Sequence, residues 1–346
     1  MRKWLALSIG IIALTVLHGC GNSSNAEMTT TPGGTPTPPA QVRLGYFANI
    51  THAQALVGVA RGDFQKALGS VPLKTSVFNA GPAAMEALFA GELDLVYVGP
   101  GPAVNAYFKS GGKLRVVAGV AANGVAIVAR QGSGIAKLED LKGKRIATPQ
   151  YGNTQDIAAR AFVKNQLQDK DKKDGGTTTI ETVTNAEQFG LFKQGQLDAA
   201  WAPEPWATRL IHDAGGVLVE EEKNLWEEKK FSITLIVASK KFLDEHPDVV
   251  EALLKTHAEL TEFVRNSPDL AAPIMNEELK KLQGKALAPE ILKEALTRVD
   301  FDTDPLPSTV EKMAQWYFEL GFTNKKPDVK DLFDLTILNK LKASKK

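Results

Sequence analysis

A chain of 346 residues is long enough for two ordinary domains with their own cores, and its 43% apolar and 23% charged content is that of a water-soluble globular protein. Lysines and arginines number 41 against 40 aspartates and glutamates, a formal charge of +1. That balance excludes the basic footprint by which proteins grip nucleic acid, so no nucleic-acid partner is expected.

From the N-terminus, Arg2 and Lys3 precede an apolar run from Trp4 to Leu17, too short to span a bilayer and right for a secretory h-region. The run closes on Leu17-His18-Gly19-Cys20, which holds the only cysteine of the chain. That ending resembles a bacterial lipoprotein signal. It implies a signal peptide over 1–19, a lipid on Cys20, and an extracytoplasmic protein anchored to the membrane by that lipid. Without a second thiol an exported chain has no disulfide, so core packing must stabilise it. Removing 1–19 leaves 39 basic side chains against 40 acidic ones. Residues 20–41, rich in Thr, Pro and Gly and lacking apolar periodicity, are expected to form a flexible tether.

Val42–Phe47 has the composition of a first strand. A helix is expected from near His52, with Leu56, Val59, Ala60, Phe64, Ala67 and Leu68 on one face. Leu73–Phe78 reads as the second strand, and Asn79-Ala80-Gly81-Pro82 opens a second helix, in whose first turn Pro82 lacks only an amide that has no partner there. Strands follow at Leu114–Val120 and Val125–Ala129. The order then repeats: a strand over Lys144–Thr148, a helix with Thr154 as its expected N-cap, a strand over Thr177–Val183 and a helix over Asn185–Lys193. Ser232–Ser239 is a further apolar strand, and a mainly helical tail begins with an apolar stripe over Asp248–Val264, on which His257 reads as a core residue.

One segment occurs twice. Leu88–Pro102 reads LFAGELDLVYVGPGP and Phe192–Trp206 reads FKQGQLDAAWAPEPW, with Asp94 and Asp198 104 positions apart. Each copy stops a helix with Gly, runs through Leu-Asp into an apolar strand, and leaves by a Pro-rich loop. Strand alternating with helix, in duplicate, predicts an α/β protein of two similar lobes with mainly parallel sheets, joined by a two-strand hinge near Val125–Arg130 and Ser232–Ser239. The expected boundaries are 42–128 with 235–346 for the first lobe and its helical tail, and 129–234 for the second.

Small polar residues cluster where loops run into helix starts: Asn49, Thr51 and His52 in one lobe, Asn153, Thr154 and Gln155 in the other, with Asn79-Ala80-Gly81 as a third such turn. Unpaired amides at a helix start carry partial positive charge, so converging starts suit a small anionic ligand. The same residues are equally suited to capping their own helices. Glu204, between two prolines, has two readings: it meets a ligand ammonium group, or it pairs with Arg209. Motifs for phosphate-binding loops, nucleophile elbows and zinc proteases are absent, and five histidines at 18, 52, 212, 246 and 257 lack metal-ligand spacing. No metal, no cofactor and no catalytic residue is expected.

The stretches GYFANITHAQALVG, FNAGPAAMEALFAGELDLVYVGPGPA, ATPQYGNTQD and WAPEPWATRL resemble the aliphatic-sulfonate, taurine and nitrate group of ABC-transporter substrate-binding proteins, from about Val42 to Phe263. The resemblance implies a periplasmic-binding-protein fold of the second type, monomeric, delivering a small oxyanion to a permease and its ATPase. It also implies a cleft lined by Asn49, Thr51, His52, Asn79, Gly81, Gly99, Pro100, Gly101, Asn123, Asn153, Thr154 and Gln155. VGPGPA and GNTQD resemble sulfonate binders most, with taurine, nitrate, bicarbonate or a thiamine pyrimidine precursor as alternatives. Different in class are a tethered enzyme of the same fold and a ligand sensor.

Overall fold

The computed structural model describes residues 38–344; the expected signal peptide, Cys20 and most of the tether lie outside them. Strand β1 (Val42–Phe47) leads through a 3-10 turn, Ile50–His52, into α1 (Ala53–Ala60). The single helix expected there is broken at Gly62, whose φ of 70° is left-handed, and α2 (Asp63–Leu68) restarts beyond it. Next come β2 (Leu73–Phe78), α3 (Gly81–Phe89), β3 (Leu95–Val98), α4 (Pro100–Ser110) and β4 (Leu114–Asn123). After a single residue, Gly124, the chain continues through β5 (Val125–Arg130), β6 (Arg145–Thr148), α5 (Thr154–Asn165), β7 (Thr179–Thr182), α6 (Asn185–Lys193), β8 (Ala199–Pro203), α7 (Trp206–Ala214) and β9 (Gly216–Glu221). Strand β10 (Ser232–Ser239) is followed by α8 (Lys240–Glu245), α9 (Pro247–Asn266), α10 (Pro268–Gln283), α11 (Pro289–Leu296), β11 (Val299–Phe301), α12 (Pro307–Glu319) and α13 (Thr336–Ala343).

These strands form two sheets, ordered β11-β4-β10-β3-β1-β2 and β7-β6-β8-β5-β9. The sheets are mixed rather than mainly parallel. In each, three strands run parallel, β3-β1-β2 and β8-β6-β7, and the next strand outward is antiparallel. That antiparallel strand is β10 in the first sheet and β5 in the second, and each is the strand by which the chain arrives from the other sheet. A strand entering from outside the βα repeat has no crossover helix to reverse it, so it pairs antiparallel. The sheet changes at Gly124 and between β9 and β10. Residues 125–128, expected in the first lobe, therefore pair in the second sheet, and 232–234, expected in the second, pair in the first.

The repeated segment braces both sheets alike. Gly91 and Gly195 stop α3 and α6 with φ of 73° and 71°. Asp94 then accepts from the Arg43 amide at 2.8 Å and Asp198 from the Arg145 amide at 2.9 Å, and each aspartate pairs with that arginine's side chain. Each carboxylate thus ties its strand to the parallel neighbour, β1 or β6, at the end opposite the Pro-rich loop.

Apolar faces of the strands and helices form three core clusters, the largest of which draws on strands of both sheets, and His257 is fully buried. Its Nδ1 lies 3.0 Å from the Tyr97 hydroxyl and its Nε2 2.9 Å from the Gly119 carbonyl, the satisfied arrangement expected of a core histidine. The tail does not stay with the first sheet. While α9 and α10 pack on α1, helix α11 packs on α7 and α12 on both α4 and α5. Arg298, after α11, lies 3.1 Å from Glu204 and 2.7 Å from Glu294.

Candidate functional site

The carboxyl ends of β1, β2, β3, β6, β7 and β8 point to the gap between the sheets, and α3, α4, α5 and α6 begin there. A cavity of about 30 Å³ lies at this junction, above the roughly 10–15 Å³ that one water requires. Asn49, Thr51, His52, Asn79, Gly81 and Gly99 line it from the first half, and Asn153, Thr154 and Gln155 from the second. In α/β folds this end of the strands is where ligands bind, because strand ends and helix amides converge there.

Of the groups lining this cavity, none is a lysine, arginine or carboxylate. His52 is 2% exposed, and burial lowers its pKa from 6.5 to about 3, so the ring is neutral. The Phe47 amide donates to its Nδ1 at 3.3 Å, and the Phe47 ring stacks on it at 4.4 Å. A neutral ring accepting at Nδ1 carries its proton on Nε2, which makes His52 a donor. Asn153 accepts from the Asp156 amide at 2.8 Å and donates to the Gln155 side-chain oxygen at 2.9 Å, leaving the Gln155 amino group to donate. Asn49 accepts from Trp206 Nε1 at 3.2 Å, a bond between the two halves that leaves its own amino group free to donate.

Two polar lining residues were not foreseen. Thr234, on β10, and Asn185, at the start of α6, are buried and line the cavity, and Thr234 Oγ1 and Asn185 Oδ1 have no hydrogen-bond partner. An unpaired buried polar atom costs about 1–3 kcal/mol, so native structures rarely keep one without a use. The signal for Asn185 is its start-of-helix position after β7, equivalent to that of Asn79 and Gly81 after β2. Thr234 sits inside an apolar strand, where no local pattern distinguishes it.

Other expectations change. Asn153, not Thr154, caps α5, because it stands one residue outside the helix where its carboxamide reaches the Asp156 amide. Thr154 Oγ1 instead accepts from the Gly101 amide at 3.2 Å, across the two halves. Neither Asn79 nor Thr51 makes a side-chain cap. Pro100 and Gly101 form the first turn of α4 behind the cavity wall rather than in it. Asn123 lies away from the cavity, at the sheet crossing, with a left-handed φ of 64°; it accepts from the Phe231 amide at 3.2 Å and donates to Asp300 at 2.7 Å. It pins the two crossing segments together.

Glu204 is likewise outside the cavity. Fully buried, it accepts from the Thr208 hydroxyl at 2.9 Å and the Thr208 amide at 3.1 Å, and pairs with Arg298, not Arg209. Burial pushes its pKa up to about 7 against the opposing pull of Arg298 and Thr208. Arg209 stacks over the Trp206 and Phe189 rings. Asp156 is equally committed, to the Thr148 hydroxyl, the Gly152 amide and Arg160.

A groove of about 520 Å³ shares Asn49, Asn79 and Asn185 with the cavity and continues it outward. Its walls are mainly apolar: Val77, Phe78, Phe189, Trp206, Leu282, Leu287 and Ile291, with Arg209, Asp213 and Lys285 among them.

Residues 35–276 match the profile of the NMT1-like family. The chain belongs to that family. Among its relatives is a Bacillus subtilis (strain 168) protein named for binding aliphatic sulfonates, 27% identical over 98% of this chain and 97% of its own length. The taurine-binding periplasmic protein of Escherichia coli (strain K12) is 26% identical over 66% of this chain and 69% of its own. The fold is that of the alkanesulfonate-binding protein SsuA from Xanthomonas axonopodis pv. citri, solved with MOPS bound. That structure superposes with a TM-score of 0.68 at 21% identity, covering 84% of this chain and 96% of that one.

Proposed function

We propose that this family member is the extracytoplasmic substrate-binding component of an ABC importer and that its cavity captures the sulfonate head of an aliphatic sulfonate. The observation that carries the reading is a cavity lined by neutral donors, with the Thr234 hydroxyl left unpaired in it. A sulfonate is a strong-acid anion with three acceptor oxygens, and it needs many donors rather than a counter-charge. Thr51, Thr234, His52, Gln155 and the Asn49, Asn79 and Asn185 amino groups supply them, with the starts of α3 to α6 adding partial positive charge.

Two features favour an alkanesulfonate over the alternatives. The apolar outer groove suits a hydrocarbon tail, which nitrate and bicarbonate lack. Taurine would bring an ammonium group; Glu204 and Asp156 are committed to Arg298 and Arg160, and the groove's own carboxylate, Asp213, lies within the field of the Arg209 guanidinium. Of the three similar proteins named above, two are named for aliphatic sulfonates and one for taurine. Delivery to a permease and ATPase, a lipid on Cys20 and a monomeric state belong to the same proposal, as does binding without turnover.

A thermal-shift panel of linear alkanesulfonates, taurine, nitrate, sulfate, bicarbonate and pyrimidines tests it. Alkanesulfonates should raise the melting temperature most, with ligand at 100 times its Kd adding about 2.7 kcal/mol. A melt raised by pyrimidines and untouched by sulfonates would overturn the reading.

A further inference from the structure

Away from the cavity just described lies a second and larger one, of about 730 Å³, between α5 of the second half, the segment linking β9 to β10, and α12 of the tail. Its size is that of a small-molecule site. Three of its lining residues are Trp201, Trp226 and Trp316. Trp226 stacks flat on Phe231 at 5.1 Å and lies 5.0 Å from Trp316 at 55°, so the two half-buried indoles form an aromatic corner.

Against that corner stands Glu222, 1% exposed. Its two oxygens accept from Trp201 Nε1 at 2.6 Å and Trp226 Nε1 at 3.2 Å. Both donors are neutral. Among the described residues no cation lies within ion-pair distance of Glu222, whereas the other fully buried carboxylates near the site, Glu204 and Asp156, each have an arginine. Lys230, which lines the cavity, pairs with Asp302, and Lys312 is exposed. Indole donors fix the carboxylate's orientation without neutralising it, and burial accordingly raises its pKa to about 7. A carboxylate accepts at about four lone-pair positions, and two remain here.

We propose that this cavity is a second binding site, for a small organic ammonium ion held by Glu222 and the faces of Trp226 and Trp316. Attraction to an indole face and to a desolvated carboxylate are the two contacts such a cation seeks, and here they converge. The assignment is independent of what the first cavity binds. Because its walls come from α5 and α12, an occupant would touch the second half and the tail at once.

Choline serves as the probe and its neutral carbon isostere, 3,3-dimethylbutanol, as the control, in tryptophan-fluorescence titrations of the whole chain. Choline is expected to give a saturable change that persists when the first cavity is saturated with an alkanesulfonate. The isostere, Trp316→Leu and Glu222→Gln should each weaken it about tenfold or more. Trp316 is half-buried, so its leucine variant keeps the test valid should Glu222→Gln fail to fold, and melts of both variants check this. No saturable signal up to about 50 mM choline, equal binding of the isostere, or choline displaced by the sulfonate would overturn the proposal.

Discussion

Thr234 and Thr154 are both buried threonines at the candidate site, yet their hydroxyls predict opposite outcomes. Thr234 Oγ1 has no partner within the protein, so Thr234→Val should leave the melting temperature of the free protein unchanged or slightly raised. Calorimetry should show sulfonate affinity falling about tenfold or more, the worth of a hydrogen bond to a charged group. Thr154→Ala removes the acceptor of the Gly101 amide and should cost stability as well. The neutrality of His52 gives a second test. It is the one titratable side chain lining the cavity, and its pKa lies near 3, so sulfonate affinity should be flat between about pH 5 and 8. Affinity that tightens as pH falls through 6.5 would mean a protonated ring and a different site. Stability behaves otherwise. His52 and His257 have folded pKa values of about 3 and 4, below 6.5, so the stability of their neutral forms is present above pH 6.5 and lost as pH falls toward those values. Glu204 and Glu222, raised to about 7, act with the opposite sign: their contribution is present below about 4.5 and lost as pH rises through 7.

The starts of α4 and α5 meet with the Thr154 hydroxyl as the side chain between them. A Cβ on Gly99 would lie 2.2 Å from Thr154 Oγ1, and one on Gly101 would lie 3.0 Å from the Thr154 backbone. Gly101→Ala should therefore force the two helix starts apart and weaken ligand binding in calorimetry. If that contact were dispensable, the substitution would instead stabilise the protein slightly, since Ala favours a helix over Gly by up to about 1 kcal/mol. Asn153→Ala, which removes the α5 cap, should cost about 1 kcal/mol by denaturant unfolding. At this scale the sequence was readable wherever the signal was local. The strands Val42–Phe47, Leu73–Phe78 and Ser232–Ser239, the helix Asn185–Lys193 and the glycine stops at 91 and 195 follow from composition and period. Asn49, Asn79, Asn153 and Gln155 were legible because they sit at loop-to-helix junctions. Thr234, the commitment of Glu204 to Arg298, and the place of Asn123 at the crossing were not. Each depends on a contact with a distant segment that no local pattern encodes.

Across the whole molecule, the two halves are tied by more than the two crossings. Arg298, brought by the tail, pairs with a Glu204 that is wholly buried beside the crossing at Gly124. Arg298→Met should leave that carboxylate buried without a cation and destabilise by about 3–5 kcal/mol in urea unfolding, whereas the paired replacement with Glu204→Leu should recover most of the loss. The helical tail, expected to belong to the first lobe, is thus a strap over both halves, and sequence periodicity showed its long helix over Asp248–Val264 but not what the tail spans. The close contact of Gly99 and Gly101 with Thr154 reaches further. On closure of the two halves it would act as a stop: the protein's own atoms at Gly99, Gly101 and Thr154, and not the cargo, would set how small the inner chamber becomes. Whatever exceeds the head of the ligand must extend into the outer groove, where apolar walls grip without reading shape closely. Such a receptor measures one end of a molecule and tolerates different lengths of the other, so linear alkanesulfonates of different chain length should all compete for it, with affinity rising by no more than about fourfold per added methylene, since each gains at most about 0.8 kcal/mol and only where it is fully buried. A cell carrying it would scavenge a chemical class rather than a single compound.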